Sequence, residues 1–173
     1  MGALDPELDH ADLRAAYAEM RALAEGSAES LRALQPARSG WSGENHLAHA
    51  CLANERVFAN LKSLRAGQGL LIVRGGEPHP LARELLAAGR LPRGEAKAPR
   101  MVTPPARMEP GLLLQWLGEG QALLTTLDPA TVVASELKIP HQLLGPLDAP
   151  EWLRFARVHT RHHLAIVGEL LAP

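Results

Sequence analysis

Cysteine is nearly absent from this chain. Cys51 stands alone, so no internal disulfide can form and the protein suits a reducing compartment. Aromatic residues make up only 3% of the sequence, too few for a platform on which nucleic-acid bases would stack. Neither sign of charge is in excess. Lys and Arg number 18 against 19 Asp and Glu, a formal net charge of −1, so no global field draws the chain to nucleic acid. No apolar run approaches the roughly 20 residues needed to cross a bilayer. The opening stretch Met1 to Glu7 is acidic and lacks the apolar centre of a signal peptide, and Pro6 stands where a myristoylation signal has Ser or Thr. Together these absences lead to the expectation of a cytoplasmic protein with neither a nucleic-acid nor a membrane partner.

What is present is helical periodicity. The 173 residues, 46% hydrophobic and 21% charged, suit one domain with a real core over residues 1–173. Four long helical patterns stand out, with no strand pattern of comparable strength. The first opens at Asp5-Pro6, an N-cap acid followed by proline, and carries Leu13, Ala16, Tyr17, Met20 and Leu23 at helical spacing. A further piece runs through Leu31 and Leu34 to Pro36. The second begins at Ser42, with Glu44 in its first turn, and runs to Gly67. The third holds Leu113, Trp116, Leu117, Leu123 and Leu124 between Glu109-Pro110 and Asp128-Pro129. The fourth has Asp148 as N-cap and runs to about Ala172. From Gly67 to Met108, prolines and glycines forbid a long helix, and only Pro80 to Leu91 reads as a short one. The expected fold class is all-α, a four-helix bundle with long crossover connections. The 67–108 segment is expected to cross over and wall a pocket without forming a core of its own.

The strongest chemical signal lies in Arg157-Val158-His159-Thr160-Arg161-His162-His163. Residues four apart share one face of a helix, so His159 and His163 can point at a common atom. Trp152, Ala156, Ile166, Val167 and Leu170 fall on the same stripe, which makes that face apolar. Imidazoles on an apolar seam are costly unless their nitrogens are satisfied. A divalent metal does this, and a chain of buried hydrogen bonds is the alternative. A third ligand has to come from elsewhere. The second helix offers His46 and His49, and periodicity does not choose between them. His162 lies one position off the seam and reads as a flanking residue. His10 and His79 fall in segments expected to be exposed. His141, in the loop before the last helix, can reach the mouth of such a site. Cys51 should point away from His49 as a small core residue.

Two stretches resemble the signatures of the DinB/YfiT-like superfamily. Gly40-Trp41-Ser42-Gly43-Glu44-Asn45-His46-Leu47-Ala48-His49 is similar to its second-helix start, where a metal-binding histidine follows the tryptophan by eight positions. That position is His49. Trp152 through His163-Leu164 resembles the other signature, a tryptophan on the last helix followed by His-x-x-His-His and an apolar residue. The usual ligands there correspond to His159 and His163. In the family a leucine often follows the second-helix ligand directly. Here Leu47 follows His46 and Ala50 follows His49, so His46 stays the alternative.

The resemblance implies a DinB/YfiT-like bundle and a site of His49, His159 and His163 holding one divalent metal ion. Zinc, nickel, iron and manganese are not distinguished by three imidazoles. Some members of the family are thiol S-transferases, which implies a low-molecular-weight thiol and a small electrophilic substrate as partners. Four long helices with 46% apolar content leave apolar surface to cover, and symmetric dimers are the commonest oligomer, so a homodimer is expected, as is frequent in the family. An open coordination position can activate a thiol for S-transfer or a water for hydrolysis. A non-catalytic, metal- or small-ligand-binding helical dimer of stress-response type is the alternative.

Overall fold

The computed structural model describes residues 4–26, 28–94 and 97–172, and over these the chain is mostly helical. Helix α1 (Pro6–Gly26) is followed by the short α2 (Ala28–Arg32) and by α3 (Gly43–Ala66). Strand β1 (Val73–Arg74), helix α4 (Pro80–Ala88) and a 3-10 turn at Arg100–Val102 occupy the proline-rich stretch. Then come α5 (Leu112–Thr126), a 3-10 turn at Pro129–Thr131, strands β2 (Leu137–His141) and β3 (Gly145–Leu147), and α6 (Ala149–Leu171).

Helices α1, α3 and α6 begin where side chains satisfy their free N–H groups. Asp5 Oδ1 accepts from Leu8 N at 3.1 Å. Ser42 Oγ accepts from Asn45 N, and α3 ends at Gly67, whose φ of 64° is a left-handed conformation that suits glycine. At the head of α6, Asp148 and Glu151 form a reciprocal capping box. The far end of α6 is held from outside. Arg38 Nη1 donates to the carbonyls of Glu169 and Ala172, and Gln35 Nε2 donates to that of Leu170.

Helices α1 and α3 each pack against both α5 and α6. Leu13, Tyr17 and Met20 of α1, Leu47 and Val57 of α3, Leu117 and Leu124 of α5, and Leu153 and Val167 of α6 are buried in the core. Each such side chain contributes about 1.5–3 kcal/mol on leaving water. Closest approach occurs at Gly120, where a Cβ would lie 2.5 Å from the Tyr17 ring, so α5 can meet α1 there only without a side chain.

Several details depart from the sequence reading. Helix α2 stops at Arg32, leaving Leu34 exposed. Helix α5 starts at Leu112, because Gly111 before it has φ of 84°. The stretch expected to be a loop before the last helix instead contributes two strands to a small antiparallel sheet of order β1-β2-β3. Its register pairs Val73 with Lys138 and Pro140 with Pro146. The 67–108 segment also reaches the core itself, since Ala82, Leu86, Val102 and Met108 are buried.

Candidate metal centre

Helix α3 carries His46 and His49 within its first two turns, and α6 carries His159 and His163 across from them. His49 Nε2 and His163 Nε2 each lie 3.2 Å from His159 Nε2. One ring nitrogen from each of the three lies within 4.8 Å of the others, so these residues can hold a metal ion between them. The spacing suits that use. Bonds of about 2.05 Å at tetrahedral angles put neighbouring nitrogens about 3.3 Å apart.

The opposite edges of the rings decide whether those nitrogens are free. His49 Nδ1 donates to the Val102 carbonyl at 2.7 Å, which leaves Nε2 of the neutral ring as a bare acceptor. A backbone carbonyl on the outer nitrogen is a usual way to orient a ligating histidine. His163 Nδ1 meets His46 Nδ1 at 2.9 Å. Among the described residues His159 Nδ1 is buried without a hydrogen-bond partner, so its ring is oriented by packing. Phe155 stacks on it with centroids 5.1 Å apart. Trp41 closes the α3 side, its ring 5.4 Å from His46 and 5.0 Å from His49.

Burial keeps the cluster uncharged. It pulls His46 down to about 4, with His49, Arg93 and His162 adding to the effect. His49 is lowered by burial against the pull of the Val102 carbonyl. Burial and then the neighbouring imidazoles hold His159 and His163 well below the ordinary imidazole value. Neutral imidazoles are the form that binds metals.

The other candidates lie elsewhere. His46 is as buried as His49, but it faces the outer edge of His163 and the Ser39 hydroxyl, 2.8 Å from its Nε2. His162 packs beside His163 with centroids 5.1 Å apart. His141 accepts the N–H groups of Leu143 and Leu144 and packs on Phe155, which separates it from His159. His79 is exposed as expected. His10 is half-buried and bonded to the Leu124 carbonyl at 2.9 Å, a contact its sequence position did not announce. Cys51 lies in the core, its thiol pushed up to about 12 by burial and then by Glu119. Sequence reasoning missed the Val102 carbonyl and Ser39. A carbonyl leaves no signature in a sequence, and Ser39 lies outside the helix that carries its partner.

Set against family models, curated proteins and solved structures, the chain matches none of them.

Proposed function

We propose that the chain is a four-helix bundle of the DinB/YfiT-like kind whose His49, His159 and His163 hold one divalent metal ion. The ion is zinc, nickel, iron or manganese, and the protein uses it to transfer a low-molecular-weight thiol to a small electrophile or, second, to hydrolyse such a substrate. The observation that carries this reading is that His49 Nε2 and His163 Nε2 each lie 3.2 Å from His159 Nε2, with the outer nitrogen of His49 already occupied by Val102.

When bound, the ion supplies a Lewis-acid centre that eases loss of a proton from a thiol or a water. The chain's own residues do the rest. Val102 fixes the tautomer of His49, Phe155 and Trp41 shield the rings from solvent, and burial keeps all three imidazoles neutral. In the transfer, the thiol S–H bond breaks with its proton released to solvent, a C–S bond forms on the electrophilic carbon, and the leaving group departs with the electron pair.

Metal analysis of untagged protein tests the first half of the proposal. Near-stoichiometric zinc, nickel, iron or manganese supports it, and no metal together with no uptake on titration removes it. Turnover of a haloarene with bacillithiol, glutathione or mycothiol tests the second half. A metal-loaded protein inert to all three favours the non-catalytic binding reading, for which the near-complete burial of His49 and His163 is the supporting observation. We place the protein as a homodimer, with light scattering at tens of micromolar protein as the check; a monomer there removes that part.

A further inference from the structure

His46 sits against the histidine cluster without facing its centre. Its Nδ1 lies 2.9 Å from His163 Nδ1, and its Nε2 lies 2.8 Å from Ser39 Oγ. The two nitrogens of an imidazole project from different edges of the ring. A group bonded to His163 Nδ1 therefore cannot share whatever His163 Nε2 meets.

A neutral imidazole carries one N–H, so the Nδ1–Nδ1 contact is held by a single proton whose owner fixes the whole chain of bonds. In one arrangement His46 owns it. Its Nε2 is then bare and takes the Ser39 hydroxyl proton, while His163 carries its own proton on Nε2, where it blocks a metal. In the other arrangement His163 owns the shared proton and its Nε2 is bare. His46 then accepts at Nδ1 and donates from Nε2 to Ser39 Oγ, which also receives the Trp41 N–H at 3.1 Å. Only the second arrangement makes His163 a ligand.

We propose that His46 is a positioning residue for the metal centre: by accepting a hydrogen bond from the Nδ1–H of His163 and donating its own Nε2–H to Ser39 Oγ, it holds His163 in the tautomer that presents a bare Nε2. This role rests on the metal reading above and extends it to residues outside the ligand set. Loading a metal selects one of two proton arrangements on rings 117 positions apart in the chain, so the tautomer of His46 reports on an ion that His46 does not ligate.

Two measurements on zinc test the role. Imidazole nitrogen–proton NMR of zinc-loaded wild type should find His46 protonated at Nε2 and His163 at Nδ1; a proton on His46 Nδ1 would overturn the proposal. Zinc affinity by chelator competition should separate two variants. His46→Asn places an amide oxygen near the lost Nδ1 and should stay within a few-fold of wild type. His46→Leu has similar bulk and no acceptor, and should bind about 10- to 100-fold more weakly. Equal affinities for the two variants would also overturn the proposal. The NMR result needs no substitution and decides the matter if either variant fails to fold. Wild type that takes up none of zinc, nickel, iron or manganese removes the metal reading and this role with it, whereas zinc uptake with the opposite tautomer removes the role alone.

Discussion

Helix α6 presents two polar stripes to its neighbours, arginines toward α1 and histidines toward α3, and the stripes are completed in different ways. Arg154, Arg157 and Arg161 meet carboxylates supplied by the chain. Arg154 Nε donates to both oxygens of the fully buried Asp9 at 2.7 and 2.8 Å, and Arg157 Nε lies 2.9 Å from the same carboxylate, though not aligned for a hydrogen bond. Arg161 bonds Asp12 and reaches Glu19 at 2.8 Å. Burial raises the Asp9 carboxyl even against two guanidinium groups. Burial also opposes ionisation of Asp12, but Arg161 and Arg157 outweigh it and hold its carboxyl low. Every charge on this stripe has a counter-charge. The histidine stripe is neutral, and its inner edge converges three nitrogens with His49 contributing a bare acceptor. A buried row of that kind can take a metal ion from outside.

Removing one side of the arginine stripe should have the largest effect. Asp9→Leu leaves two guanidiniums facing an apolar side chain and should lower stability by about 3–5 kcal/mol in urea unfolding, because an unpaired buried charge remains. A loss under about 1 kcal/mol would mean that water reaches the pair. On the other stripe, zinc at a hundred times its dissociation constant should stabilise wild type by about 2.7 kcal/mol. His162→Ala should keep most of that gain and His163→Ala should lose it. Equal losses from the two substitutions would overturn the ligand assignment.

Acid should act next on the buried histidines outside α6. His46 and His141 stay unprotonated in the folded chain down to about pH 4, whereas the unfolded chain takes up these protons near 6.5. Their contribution is full above about pH 6.5 and is lost as pH falls toward 4. Melting temperature should therefore fall across that window, and a flat profile would remove the claim. The smallest effect is expected at the exposed end of the arginine stripe. Glu19→Ala should cost about 0.5 kcal/mol or less, since the pair it breaks is largely in water; a loss above about 1.5 kcal/mol would show an ion-pair network coupled through Arg161.

The long helices, and the starts of three of them, were legible because a cap and a 3.6-residue period are local signals; α5, whose start has no side-chain cap, begins later than the sequence suggested. Ser42 and Asp148 both read as N-caps from the sequence and both accept the expected backbone N–H. The pair His159 and His163 was legible for the same reason, because one helical turn separates them. The sheet was not. Its strands are two, five and three residues long, with Pro140 opposite Pro146, so neither alternation nor composition reads as strand. The choice between His46 and His49 was equally hidden from periodicity. Both are buried on α3, and only the partner each ring meets across the core tells them apart.

The bond from His49 to Val102 has a consequence for how the protein tolerates change. The acceptor is a main-chain oxygen, so no substitution at position 102 deletes it, and the Val102 side chain is free to vary as far as its burial allows. What the histidine needs from that segment is a distance along the chain. Adding or removing one residue between Pro99 and Pro105 would shift the oxygen out of reach while leaving every imidazole in place. Sequence drift there is cheap and length drift is not. A chain that had lost this support would still display all of its histidines.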